Sequence, residues 1–149
     1  MEYEKLIQEA QQARSNAYAP YSHFMVGAAL LGYSGRIYTG CNVENAAFSP
    51  TNCAERTAFF KAVSEGERRF RAIAIVGHKQ GTISVQDGYC MPCGVCRQVM
   101  MEFCDDESFE VIVVNGRGRY KVYTLRSLLP EGFGPAALQE PKEDANENV

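Results

Sequence analysis

Apolar positions along this chain follow two periods, and the switches between them mark out the elements. Tyr3, Leu6, Ile7, Ala10, Ala13 and Ala17 recur at helical spacing, with Glu2 and Glu4 near the start, which predicts an amphipathic helix closed by Pro20. Tyr18 and Tyr21 frame a turn. Residues 24–31 then form an apolar run suited to a buried strand. Gly32-Tyr33-Ser34-Gly35 is turn chemistry, and 36–43 returns as a second strand, so the two predict a hairpin. Ala54, Ala58 and Ala62, flanked by Phe59 and Val63, set out a second helix, with Thr51 or Asn52 as its cap and Gly66 as its stop. The continuous run 72–76 reads as a central strand covered on both faces.

Residues 78–91 read as a loop holding a short strand at 82–85. Pro92, a residue tolerated best in a first helical turn, opens a helix that runs through Val99, Met100 and Phe103. A buried strand at 111–114, a turn at Gly116-Arg117-Gly118 and a last strand at 120–123 follow. Thr124 caps a short helix through Leu128 and Leu129, and Pro130 ends it. Helices alternating with buried strands give an α/β layered domain, a mixed sheet with helices on both faces. The pattern does not give the strand order. The domain is expected over 1–138, and the acidic tail 139–149, nearly free of large apolar residues, is expected to be mobile.

Composition narrows the function. The formal charge of −3 provides no global basic field for nucleic acid or a membrane surface. No apolar run approaches a membrane span, and the N-terminus lacks a signal-peptide pattern. Six cysteines without such a signal favour metal binding in a reducing, cytoplasmic compartment over a disulfide scaffold.

The cysteine spacing is the chemical core. Cys53 stands at the mouth of one expected helix, and Cys93 and Cys96 are i and i+3 in the first turn of another. First-turn side chains lean toward the helix start, so two facing helices aim three sulfurs at one point. The positive end of each helix favours thiolate, the form a metal needs. Three thiolates leave a fourth zinc position open, as in a catalytic site. With Zn²⁺ they carry a net charge of about −1, which Arg56 and Arg97, each beside a ligand, can offset; the other reading is that each arginine faces solvent. Glu55, two residues after a ligand, is the candidate acid/base. The bland reading of Glu55 is a first-turn carboxylate facing the helix dipole, and the adjacent metal motif reverses those odds.

Cys53-Ala54-Glu55 and Pro92-Cys93-Gly94-Val95-Cys96 match the pattern of zinc deaminases, in which a Cys-x-Glu segment precedes Pro-Cys-x-x-Cys and the Glu is not a ligand. With Phe24-x-Val26-Gly27-Ala28-Ala29 and Gly40-Cys41-Asn42-Val43-Glu44-Asn45, the chain resembles the small, homotetrameric type of cytidine deaminase over residues 18–133. The resemblance implies a three-layer α/β/α fold with a mixed five-stranded sheet, the two zinc-binding helices side by side on one face. It implies one zinc ion per subunit and hydrolytic deamination of cytidine and deoxycytidine.

Asn42 and Glu44 lie two apart, so extended chain puts them on one face. An amide and a carboxylate so placed can grip a ribose, a role the resemblance gives to both. The resemblance also makes Phe24 the aromatic that stacks on the base, where core packing is the plain alternative, and the backbone of Ala54 a holder of the pyrimidine carbonyl. Phe48 and Phe133, large apolar residues in loops, resemble aromatics that line a neighbouring subunit's pocket. Locally, Phe48 could staple onto its own helix and Phe133 could close over its own subunit.

Cys90 could complete a closed, structural four-cysteine site. Met91-Pro92 pushes residue 91 toward extended geometry and so leaves Cys90 outside the helix, favouring the open site. Cys41 and Cys104 read as packed thiols, His23 and His78 as turn residues, and Gly27 as a close-packing position. A dithiol redox protein leaves Cys53 and Glu55 unexplained. A polynucleotide-editing deaminase calls for a basic aromatic channel that composition does not show. A deaminase of an aminoacylnucleoside antibiotic would share the zinc motif, whereas the Asn42/Glu44 segment favours a free nucleoside.

Overall fold

The computed structural model describes residues 3–81 and 88–139. In chain order these form α1 (Tyr3–Arg14), β1 (Phe24–Gly32), β2 (Ile37–Cys41), α2 (Ala54–Ser64), β3 (Phe70–Lys79), α3 (Gly94–Phe103), β4 (Glu110–Val114), β5 (Tyr120–Thr124) and α4 (Leu125–Leu128). A single 3₁₀ turn, Pro135–Leu138, follows; the sequence pattern did not signal it. The sheet order is β2-β1-β3-β4-β5. Only β3 and β4 pair in parallel; every other neighbour is antiparallel. The expected mixed five-stranded sheet is therefore present.

Side-chain alternation sorts the sheet into two cores. Val26, Ala28, Leu30, Ile73, Ile75, Val111 and Val113 face one side, where α2 and α3 cover them through Ala58, Phe59, Ala62, Cys96 and Met100. Ala29, Ala72, Ala74, Val76, Ile112 and Val114 face the other, under Leu6, Ile7 and Ala10 of α1. The layers are thus α/β/α, and the two cysteine-bearing helices share one face. An aromatic cluster thickens that face: Phe59 meets Phe70 edge-on at 5.1 Å and lies 6.2 Å from Phe103. The opposite layer is thin. A Cβ at Gly27 would stand 2.0 Å from the Ala10 carbonyl oxygen, so the missing side chain lets α1 lie on β1.

Several boundaries differ from the sequence reading. The first helix stops at Arg14 rather than running to Ala17. The chain turns there because Tyr18 N–H donates to the Asn42 carbonyl at 2.9 Å and Glu44 N–H to the Tyr18 carbonyl at 2.8 Å. Arg14 reaches on to the Met25 and His78 carbonyls, at 3.0 and 2.9 Å. Cys53, not Thr51 or Asn52, is the N-cap of α2, and Cys93 caps α3, which places Pro92 just outside the helix. β3 is Phe70–Lys79, longer at both ends than the run 72–76, so His78 is a strand residue paired with Met25 and not a turn residue. His23 does lie in a turn, with φ of 57°. The strand expected at 82–85, and the acidic tail from residue 140, lie outside the described residues.

Candidate active site

The starts of α2 and α3 meet beside the ends of β1 and β2. Cys53 and Cys93 both hold extended backbone as N-caps, which directs their side chains at the open end of each helix. Cys93 Sγ accepts from the Cys96 amide at 3.5 Å. The sulfurs of Cys53 and Cys93 are 3.9 Å apart, and those of Cys93 and Cys96 3.5 Å. Sulfurs about 2.3 Å from one tetrahedral zinc stand roughly 3.8 Å apart, so the triangle has the size zinc requires. Among the described residues these three form the only cluster able to hold a metal.

Charge is arranged around the triangle. Arg56 Nη2 donates to Cys53 Sγ at 3.3 Å, and its buried Nε has no hydrogen-bond partner. The Cys96 thiol hydrogen bond, and then Arg56, hold the Cys53 thiol well below its ordinary value, while the same bond and burial push Cys96 up. Arg97 is placed differently. Its guanidinium donates to the Pro92 carbonyl at 2.8 Å and the Leu128 carbonyl at 2.6 Å, tying α3 to α4. Of the two expected arginines, the structure brings only Arg56 to a sulfur.

Glu55 sits in the first turn of α2 and is 3% exposed. Its Oε2 accepts from the Cys96 thiol at 3.4 Å. Burial pushes its carboxyl up to about 7, with the Cys53 charge adding to the rise. A carboxyl poised there can both take and give a proton near neutral pH.

A cavity of about 330 Å³ opens over these groups and is lined by Phe24, Asn42, Glu44, Ala54, Glu55 and Cys53 among others. The space suits a nucleoside-sized ligand. Asn42 is buried, and its amide braces β1: Oδ1 accepts from Val26 N–H and Nδ2 donates to the Phe24 carbonyl, both at 2.8 Å. One amide hydrogen and one lone pair are left for a ligand. Glu44 accepts from the amides of Tyr21 and Ser22 and from Ser22 Oγ. The Ser22 hydroxyl, with those amides, holds its carboxyl below the usual range.

Ser22, Val26, Thr51, Asn52 and Met91 also line the cavity, and the sequence reading gave none of them a role there; Cys90, weighed as a fourth ligand, lines it too. Ser22 lies in a turn and Met91 in an irregular stretch, each adjoining motif residues, and that adjacency was the signal available for them. Phe48 and Phe133 do not line this cavity. Phe48 is 71% exposed and meets Tyr21 edge-on; Phe133 is 63% exposed and lines a separate groove with Val99 and Pro135.

Comparison with known proteins follows the same geometry. Residues 1–112 match the family model described as the cytidine and deoxycytidylate deaminase zinc-binding region. A cytidine deaminase of Sporosarcina psychrophila is 51% identical, covering 96% of this chain and 99% of that protein. A probable cytidine deaminase of Dictyostelium discoideum is 46% identical over 92% of this chain and 87% of its own. The crystal structure of cytidine deaminase from Burkholderia pseudomallei superposes with a TM-score of 0.80 at 46% identity, covering 89% of this chain and all of that one.

Proposed function

The chain belongs to the family of zinc-binding cytidine and deoxycytidylate deaminases, and on that premise we propose that it hydrolyses cytidine and deoxycytidine to the corresponding uridines and ammonia. The observation that carries the reading is the sulfur triangle of Cys53, Cys93 and Cys96 with the Glu55 carboxylate 3.4 Å from one corner. Zinc held there would supply the Lewis acidity that lets water attack near neutral pH.

The chain's own groups then divide the remaining work. Glu55 takes one proton of the attacking water and passes it to ring N3, then takes the second from the resulting C4 hydroxyl and gives it to the departing amine as the C4–N bond breaks. Its buried carboxyl, raised toward neutrality, is matched to that exchange. Phe24 presents its ring to the base, and the Ala54 N–H, an early helix amide without an intrahelical acceptor, faces the pyrimidine carbonyl. Glu44 and the free valences of Asn42 hold the ribose. Arg56 offsets the charge of the thiolates.

Cys90 stays outside the sulfur cluster, which disfavours a closed four-cysteine module. The catalytic unit spans 1–138, and the protein serves pyrimidine salvage in the cytosol. Among the described residues no helix is long and apolar enough to cross a membrane. Phe48 and Phe133 are exposed and do not line their own cavity, which supports a homotetramer whose subunits complete one another's sites. The decisive experiment measures bound zinc and ammonia release from cytidine on one purified sample. About one zinc per chain with turnover is expected; zinc without turnover on any cytosine nucleoside overturns the assignment.

A further inference from the structure

Phe24 stands at the first position of β1, where its ring has sheet on one side and cavity on the other. A ring that stacks on a base needs a fixed plane, and β1 alone does not provide one. The support comes from across the sheet. Val26 pairs with Gly77 of β3, and Phe24 with Lys79, so Gly77 lies diagonal to Phe24. A Cβ built on Gly77 would stand 2.7 Å from Cys90 Sγ, 2.9 Å from Cys90 Cβ and 3.0 Å from Phe24 Cε1. The bare Cα of Gly77 therefore opens a slot that the Cys90 side chain and the edge of the Phe24 ring fill together.

Cys90 is held there by its neighbours. The Tyr89–Asn115 bridge anchors the chain just before it, and Pro92 stiffens the chain just after. Burial raises the Cys90 thiol to about 12, so it remains neutral and acts as a small apolar wedge. It faces the cavity without joining the three clustered sulfurs.

We propose that Gly77 and Cys90 together form the seat of the Phe24 ring and so set the plane against which the base lies. Both are positioning residues, and the inference rests on the reading of Phe24 as the base-stacking residue. A side chain at position 77 tips the ring into the cavity; loss of the sulfur at position 90 leaves the ring edge unsupported.

The test uses the full-length zinc-loaded protein and cytidine. Gly77→Ala should raise KM about tenfold, within the range a base–aromatic stack contributes, with kcat and zinc content nearly unchanged. The double variant Gly77→Ala/Cys90→Gly adds one carbon on one side of the slot, removes the two Cys90 atoms it would meet, Cβ and Sγ, from the other, and should return KM to within about threefold of the parent. Cys90→Ala alone should raise KM about threefold and keep its zinc; it decides the matter if Gly77→Ala does not fold. Phe24→Ala is the control. If it raises KM while Gly77→Ala and Cys90→Ala do not, the seat is wrong and the stacking role stands. If it leaves KM unchanged, the stacking role itself fails. Absence of rescue in the double variant, or zinc loss in Cys90→Ala, also overturns the proposal.

Discussion

Gly27→Ala perturbs the fold at a point where the cost can be worked out. The added Cβ meets the Ala10 carbonyl oxygen at 2.0 Å, the Arg14 nitrogen at 2.4 Å and the Arg14 Cα at 2.8 Å. All three are backbone atoms, so no rotamer change relieves them. Ordinary contact begins near 3.4 Å, so α1 must lift from the sheet by about 1.4 Å, a shift at the costly end of overpacking. Lifting also strains the bonds from Arg14 to the Met25 and His78 carbonyls. Together these put the loss at about 3 kcal/mol, a large share of the ~5–15 kcal/mol that holds a typical domain. For a chain of this size that lowers the thermal midpoint by roughly 6–12 °C. The assay is thermal unfolding at fixed zinc, protein concentration and scan rate, since each moves the midpoint. Because α1 covers the sheet face opposite the cysteines, kcat/KM per folded site should stay within about threefold of the parent. A midpoint shift under about 2 °C refutes the packing argument. Normal stability with lost activity would instead give Gly27 a direct role.

Four other outcomes are expected. Glu55→Gln should keep zinc and nucleoside binding but lose about 10²–10⁴ in turnover; metal analysis beside steady-state kinetics checks it, and zinc loss would count against the assigned role. Alanine at Cys53, Cys93 or Cys96 should remove metal and activity together, because three ligands leave no spare. Glu44 has a folded-state pKa below its usual 4.5, chiefly through the Ser22 hydroxyl. The stability it contributes is therefore complete above about pH 4.5 and lost as pH falls through the lower folded value. Ser22→Ala should accordingly lower the thermal midpoint at neutral pH, with the difference from the parent closing in acid. Finally, nearly inactive Phe133→Ala subunits should regain activity when co-assembled with inactive Glu55→Gln subunits, if Phe133 serves a neighbour's site, because a site that keeps Glu55 then receives an intact Phe133. Mixtures that stay inactive sink the shared site.

Legibility in the sequence followed how local each feature is. The runs 72–76 and 111–114 announce buried strands because both faces of β3 and β4 are covered. The cysteines were legible because their spacing encodes a first helical turn. Thr124 was recognised as a cap because a hydroxyl is an ordinary cap acceptor, and its Oγ1 does accept from Ser127 N–H. Cys53 was passed over for the same reason: sulfur is a weak acceptor, and nothing in cap chemistry announces it. The end of α1 was misjudged because Ala17 keeps the helical period, while the bonds that turn the chain come from residues 42–44. The fates of Asn42 and Arg97 were hidden likewise. Each donates to backbone carbonyls whose nearness depends on sheet register or helix docking, which no local pattern carries. Cys90 lies outside the sulfur cluster, and its place beside Gly77 and Phe24 needs the β1–β3 register to be seen.

That Cys53 and Cys93 are at once N-caps and corners of the sulfur triangle ties two equilibria together. In the described cap bonds neither a hydroxyl nor a carboxylate closes the start of α2 or α3. A metal that holds both sulfurs as thiolates therefore keeps negative charge at two positive helix origins at once, and those helices roof the aromatic side of the sheet. Free zinc becomes a thermodynamic variable of folding: each tenfold rise above the dissociation constant adds about 1.4 kcal/mol to the stability of the native chain. A cell short of zinc would then lose this protein by unfolding and proteolysis as well as by idle active sites, and its abundance would report the metal supply.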